Sequence, residues 1–141
     1  MLRLRECLLI SKEKMLTHFT IRTGIGPEIF AFISADGNFT GGGAPSAAQT
    51  EFYNQHGFYI TAPDYIMRPE VLESNFYAWR VTGETKYIDR AAQAMQSFQK
   101  YLKVKSGGYA GIFDVNNTSS DEGGMVDETE SFWFAEVLKY L

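Results

Sequence analysis

Two helices of defined length, separated by a single glycine, constrain this chain more than any other feature. Pro69 opens the first, because its fixed φ and missing N–H suit the first helical position, and Val71, Leu72, Phe76 and Trp79 recur at helical spacing up to Gly83. The second spans about Glu84 to Leu102. It is the clearest amphipathic segment, with Ile88, Ala91, Ala92, Met95, Phe98 and Leu102 on one face and Ser106-Gly107-Gly108 as its stop. A third helix is expected from near Asp127, where Asp127 and Glu130 have capping-box spacing and Phe132, Trp133, Val137, Leu138 and Leu141 supply apolar positions. At roughly 1.5 Å per residue, two helices and their loops use about 45 residues, so the chain holds three helical hairpins at most.

The remaining segments read as connections. TGIGPE at 23–28 is a loop, EIFAF at 28–32 a short strand or a helical turn, and 34–46 a turn followed by a flexible glycine-rich stretch. Helix formers fill 47–55, GFYITA has strand composition, and YAGIFDV at 109–115 alternates like a hairpin. The expected fold is all-α: two to three helical hairpins with short β-hairpin-like loops.

With 141 residues, 13 Lys plus Arg and 17 Asp plus Glu, the net charge is −4. No basic face exists for phosphate, which argues against nucleic acid. A single cysteine, Cys7, excludes an internal disulfide framework and a paired-cysteine zinc site. No run approaches the roughly 18 apolar residues of a spanning helix. The apolar stretch Cys7 to Ile10 is too short for a signal-peptide core.

The densest polar constellation is RPEVLES at 68–74. Glu70 falls in the first helical turn, where free backbone N–H groups and the helix dipole favour a charged carboxylate suited to act as a base. Glu73 shares its face three residues on, and Arg68 precedes both as a charge partner. Ordinary N-terminal electrostatics explains the same pattern. In ESFWFAE at 130–136, Phe132 and Glu136 are four apart and stack on one helix face, an aromatic beside a carboxylate that suits a sugar ring. Equally, Phe132 is a core residue and Glu136 a solvated one near Lys139. Glu28, His18 and His56 are weaker candidates. No dinucleotide fingerprint, P-loop, nucleophile elbow or metal-binding histidine pair is present.

TGIGPE, HGFYITAPDYIMRPEVLESNFYAWRVTGETKY at 56–87, GGYAGIFDV at 107–115 and ESFWFAEVLKYL at 130–141 together resemble the C-terminal part of the class I α-1,2-mannosidases, glycoside hydrolase family 47. The four motifs occur in family order. The resemblance covers residues 23–141 as part of a catalytic domain and sets 1–22 apart as a divergent N-terminal segment. It implies a partial (α/α)7 barrel and inverting, calcium-dependent hydrolysis of α-1,2-linked mannose in high-mannose N-glycans.

Residue by residue, the resemblance places the catalytic base on Glu70 and lines the mannose subsite with Arg68 and Phe132. Glu73, Glu136 and Glu28 would hold sugar hydroxyls or the waters around Ca2+. The family's general acid, its early substrate motifs and the threonine that ligates calcium have no counterpart in the chain, so it reads as a fragment expected to be inactive alone. The family also implies the secretory pathway, with no anchor or membrane contact visible in this segment. NFT at 38–40 and the overlapping NNT and NTS at 116–119 are glycosylation acceptor patterns. Two other readings remain: a mannose-glycan-binding homologue without turnover, and a helical interaction protein without sugar activity. The family reading further expects Glu70 and Glu136 at one common end, and the apolar face of Ile88, Met95 and Phe98 partly uncovered.

Overall fold

The computed structural model describes residues 21–119 and 124–141. Cys7, His18 and nearly all of residues 1–22 lie outside the described residues. The architecture is helix-rich but not all-α, because the first third of the described chain forms a three-stranded antiparallel sheet. Strands β1 (Ile29–Ile33), β2 (Phe39–Thr40) and β3 (Tyr59–Ala62) lie in the order β2-β1-β3. Phe32 pairs with Thr40, Ala31 with Tyr59, and the register shifts between Ile29 and Phe30. EIFAF is thus a strand, and part of the stretch expected to be flexible is its partner. The turn at Asp36-Gly37 closes the hairpin.

Helix α1 (Ala47–His56) begins at a capping box. The Gln49 side chain accepts from the Ser46 N–H and the Gln49 N–H bonds back to Ser46, satisfying free donors at the helix start. Its Phe52 meets Phe58 edge to face at 5.3 Å, and Tyr53 meets Tyr59 likewise at 5.8 Å, which seats the helix on β3.

Helices α2 (Glu70–Thr82) and α3 (Lys86–Tyr101) match the expected pair closely. Pro69 is the residue before the first helical turn rather than its first member, and Gly83, at φ +72°, stops α2 in the left-handed conformation that glycine adopts without steric cost. The buried face of α3 differs from the expected one. It carries Tyr87, Ala94, Phe98 and Tyr101, whereas Ile88 and Met95 are 43% and 41% exposed and Phe98 is buried. Tyrosine rings fill core positions that an aliphatic count assigns to the neighbouring stripe.

No helix begins at Asp127. Glu128 N–H bonds to the Val126 carbonyl and Val126 N–H to that of Gly111, so 126–128 is tied to a neighbouring loop instead of winding into a first turn. The terminal helical run starts at Ser131 and passes through a π-helical turn, Trp133–Val137, into the short α4 (Leu138–Tyr140). The 109–115 segment is not a hairpin of its own. Ile112 bridges Tyr65 on one side and Met125 on the other, and Lys103 bridges Tyr109. Gly111 permits this approach, since a Cβ there would fall 2.7 Å from the Tyr65 carbonyl oxygen.

The core gathers Met67, Leu72, Phe98, Leu102, Val115, Trp133 and Val137. Tyr65 stacks on Phe98 at 5.7 Å, and Trp133 packs against Phe98 at 5.6 Å and Tyr109 at 5.0 Å. Thr23, buried in the TGIGPE loop, donates its hydroxyl to the Val115 carbonyl at 2.6 Å and accepts from the Ile25 N–H, which anchors the entry to β1.

Candidate active site

The segment from Pro63 to Pro69 connects the sheet to α2 and is clasped from both sides. Glu28 N–H donates to the Asp64 carbonyl, Val115 N–H to that of Pro63, and Tyr65 exchanges both backbone bonds with Ile112. Within this clasp Met67 is fully buried and adopts φ +66°, the only non-glycine residue with positive φ among those described. Such a conformation is costly for a residue with a Cβ and persists where the surroundings over-determine it. Its effect is a sharp reversal just before Arg68, Pro69 and Glu70.

That reversal returns Arg68 to Glu28. The Glu28 carboxylate is nearly buried, its side chain 9% exposed, and both of its oxygens are engaged: Oε1 accepts from the Ile66 N–H at 2.9 Å and Oε2 from the Arg68 Nε–H at 2.6 Å. Arg68 is half exposed, and its guanidinium carbon lies 5.7 Å from the centre of the Phe132 ring, a cation–π contact. The hydrogen bond to Glu28, followed by the charges of Glu28, Glu70 and Glu130, holds Arg68 above even its ordinary pKa. Tyr65 donates its hydroxyl to the Arg68 carbonyl at 3.1 Å. Burial, reinforced by the Glu28 and Glu70 charges, raises its phenol well above the usual range, so it remains a donor.

Glu70 is the exposed first residue of α2. It shares with Glu28, Asp64, Tyr65 and Arg68 the wall of a cavity of about 540 Å³ at the junction of the sheet with α2 and α3. Four of the six sequence candidates therefore assemble: Glu28, Arg68, Glu70 and Phe132. Glu73 belongs to a different contact, accepting from the Tyr140 hydroxyl at 3.2 Å. Burial first, then a hydrogen bond with Tyr77 and the charge of Glu73, pushes the Tyr140 phenol up to about 12. Glu136 is exposed on the π-helical turn, and among the described residues no hydrogen bond, ion pair or cavity wall joins it to Glu70.

Sequence reasoning missed Tyr65, Asp64 and Glu130. The first two sit just before the RPE motif, where a tyrosine reads as generic core. Glu130 was assigned to a cap that does not form; its influence on Arg68 is electrostatic.

Among the described residues, no three His, Cys, Asp or Glu side chains converge on a position able to hold a metal ion. Both Glu28 oxygens are committed to protein donors and Glu73 faces Tyr140. The described residues thus do not build a cation site by themselves.

An exposed carboxylate on a cavity wall is one half of the carboxylate pair that glycoside hydrolysis uses. The comparisons with known proteins agree with that class. Residues 9–141 match glycosyl hydrolase family 47, and the chain belongs to this family. It is 44% identical over 124 residues to the mannosyl-oligosaccharide alpha-1,2-mannosidase 1B of Aspergillus phoenicis, an alignment covering 88% of this chain and 22% of that protein. The probable enzyme of the same name from Aspergillus clavatus is 45% identical over the same length. The solved alpha-1,2-mannosidase from Trichoderma reesei superposes with a TM-score of 0.78 at 44% identity, covering 92% of this chain and 26% of that one. The chain spans about a quarter or less of the relatives it matches.

Proposed function

We propose that this chain is the base-bearing part of an inverting mannosyl-oligosaccharide α-1,2-mannosidase, acting on terminal α-1,2-linked mannose of high-mannose N-glycans in the secretory lumen. Its helices and connecting sheet would form one sector of an (α/α)7 barrel. The observation that carries this reading is the Glu28–Arg68–Phe132 clamp set beside Glu70 at the mouth of one cavity.

In an inverting glycosidase one carboxylate deprotonates a water while a second carboxyl group, about 6.5–9.5 Å away, protonates the leaving oxygen. Glu70 takes the first part: its exposed carboxylate accepts the water proton as the water attacks the anomeric carbon. Arg68, fixed through Nε by Glu28, keeps its terminal nitrogens for sugar hydroxyls. Phe132 gives the sugar a flat apolar wall, with one side of the ring already carrying the guanidinium. Glu73 and Glu136 would contact sugar hydroxyls or outer waters. The family also implies a calcium ion, for which the described residues build no site by themselves.

The resemblance assigns no general acid to this chain. The 141 residues alone should therefore hydrolyse no α-1,2-mannobiose above background, with or without calcium. Fused behind the N-terminal portion of the Aspergillus phoenicis relative, the chain should release mannose as the β anomer, read by proton NMR before mutarotation. Glu70→Gln in that fusion should cost several orders of magnitude in kcat and leave mannobiose binding nearly intact, since the amide keeps the shape but takes no proton. Turnover by the chain alone, or a fully active Glu70→Gln fusion, would overturn the reading.

A further inference from the structure

Three acceptor triplets for N-linked glycans stand in the sequence, at Asn38, Asn116 and Asn117, and as sequence they rank equally. The fold separates them. Asn116 is half-buried and lines a cavity of about 690 Å³ together with Arg22, Phe52 and Tyr59, so a sugar on it would have to fill that space. Asn117 is exposed, but its amide is engaged on both sides: Oδ1 accepts from the Ser119 N–H at 3.0 Å, and Nδ2 lies close enough to Gly124 that a Cβ on that glycine would meet it at 3.0 Å. A substituent on Nδ2 there requires the side chain to turn away from Gly124 and give up the Ser119 bond.

Asn38 has neither restriction. It follows the Asp36-Gly37 turn at the tip of the β1–β2 hairpin, and Asn38, Phe39 and Thr40 are all exposed. Ser34 N–H bonds to the Asn38 carbonyl at 2.9 Å, fixing the backbone while the side chain stays outside the sheet. The side chain makes one bond, from Nδ2–H to Asp36 Oδ2 at 2.7 Å. A primary amide has two such hydrogens, and an N-glycosylated amide keeps one. The Asp36 bond and a sugar are therefore compatible on the same nitrogen. The neighbouring Phe39 ring is 49% exposed, and a bulky solubilising group beside it shields apolar surface.

We propose that Asn38 is a glycan attachment site, preferred by this fold over Asn116 and Asn117. The co-reactant is an oligosaccharide carried on a lipid diphosphate. Asn38 Nδ2 forms a bond to the anomeric carbon of the reducing-end sugar, the bond from that carbon to the diphosphate oxygen breaks, and one amide proton is released with the lipid diphosphate. This modification rests on the lumenal location proposed above.

The test separates the site from the location. The full chain is secreted from yeast behind an added cleavable leader and treated with a glycosidase that converts the occupied asparagine to aspartate in heavy-oxygen water. Peptide mass spectrometry then reads each asparagine. Asn38 should be labelled several-fold more than Asn116 or Asn117. Thr40→Ser should keep the label, Thr40→Val and Asn38→Gln should abolish it, and Asn117→Gln should leave Asn38 unchanged. An unlabelled Asn38 in chains whose leader has been removed, or greater labelling at Asn116 or Asn117, overturns the proposal. Because the added leader supplies the lumenal setting, an unlabelled Asn38 counts against the site alone, and the location proposed above stands or falls separately.

Discussion

The RPE turn and the ESFWFAE segment both bear candidate sugar-contacting residues, yet they are held in opposite ways. The first is fixed by polar bonds: Glu28 grips Ile66 and Arg68, Tyr65 grips the Arg68 carbonyl, and the backbone of 63–65 is clasped by Glu28, Ile112 and Val115. The second is fixed by apolar burial through Trp133, Val137 and Tyr140, while Phe134, Glu136 and Leu138 face outward. Hydrogen bonds specify direction as well as distance, whereas apolar packing is non-directional and fixes mainly which face is buried. The arginine is aimed, and the glutamate of the second motif is only carried.

The strongest way to break this comparison is to remove the anchor of the second segment. Trp133→Ala deletes a buried ring packed on Phe98 and Tyr109. Its expected cost is about 3–5 kcal/mol, a large part of the stability of a small domain. Urea unfolding should show it as a lower midpoint with fluorescence from the remaining tryptophan, and an unchanged midpoint would remove the apolar-anchor account.

The first segment should respond to a polar deletion instead. Glu28→Ala leaves the Ile66 N–H unpaired and frees Arg68, with an expected loss of about 1–3 kcal/mol. Glu136→Ala, on an exposed position without a partner among the described residues, should fall within about 0.5 kcal/mol of the parent. Equal effects from the two glutamates would erase the distinction. In a crystal structure of Glu28→Ala, the Arg68 side chain should leave the Phe132 ring.

A smaller effect concerns Asn75, buried in α2, whose Nδ2 donates to the Val71 carbonyl while Oδ1 has no partner. Asn75→Leu keeps the branched heavy-atom outline, with somewhat larger groups, and removes the unpaired acceptor, so stability should rise by up to about 1 kcal/mol. A drop in the unfolding midpoint would point to a partner for that oxygen.

The smallest is a titration where Tyr140 ties the second segment to Glu73. Its folded pKa, about 12, lies above that of an unfolded tyrosine, near 10. The associated stability is fully present below pH 10 and is lost as pH rises towards 12, because the unfolded chain releases the proton first. Glu73→Gln removes the nearby negative charge and should lower the Tyr140 midpoint, read by ultraviolet difference absorbance.

Sequence pattern carried the helical pair because proline, the Gly83 stop and 3.6-residue spacing are local signals, and α2 and α3 follow them within a few residues, although α3 is capped at Leu102 rather than at a glycine. It failed where the deciding contact is distant. The capping spacing at Asp127 and Glu130 loses to the pairing of Val126 with Gly111, and the buried stripe of α3 is set by tyrosines that pack against neighbouring elements. The short strand β2 was hidden because two residues among glycines have no period to read. At the site, Arg68 and Glu70 were legible from adjacency to Pro69, and Glu28 was a weak candidate from its own surroundings. Its partnership spans 40 residues and exists only once β1 and the RPE turn are side by side.

The backward turn at Met67 restricts which side chains can stand there. The side chain must be long and apolar to fill a site with no solvent exposure, while the backbone sits at φ +66°. Valine and isoleucine fail the second condition because a branched Cβ crowds the left-handed conformation. Glycine meets the second and fails the first. Very few of the twenty amino acids satisfy both, so most substitutions of Met67 should destabilise the turn even though residue 67 touches no substrate in the proposed reaction.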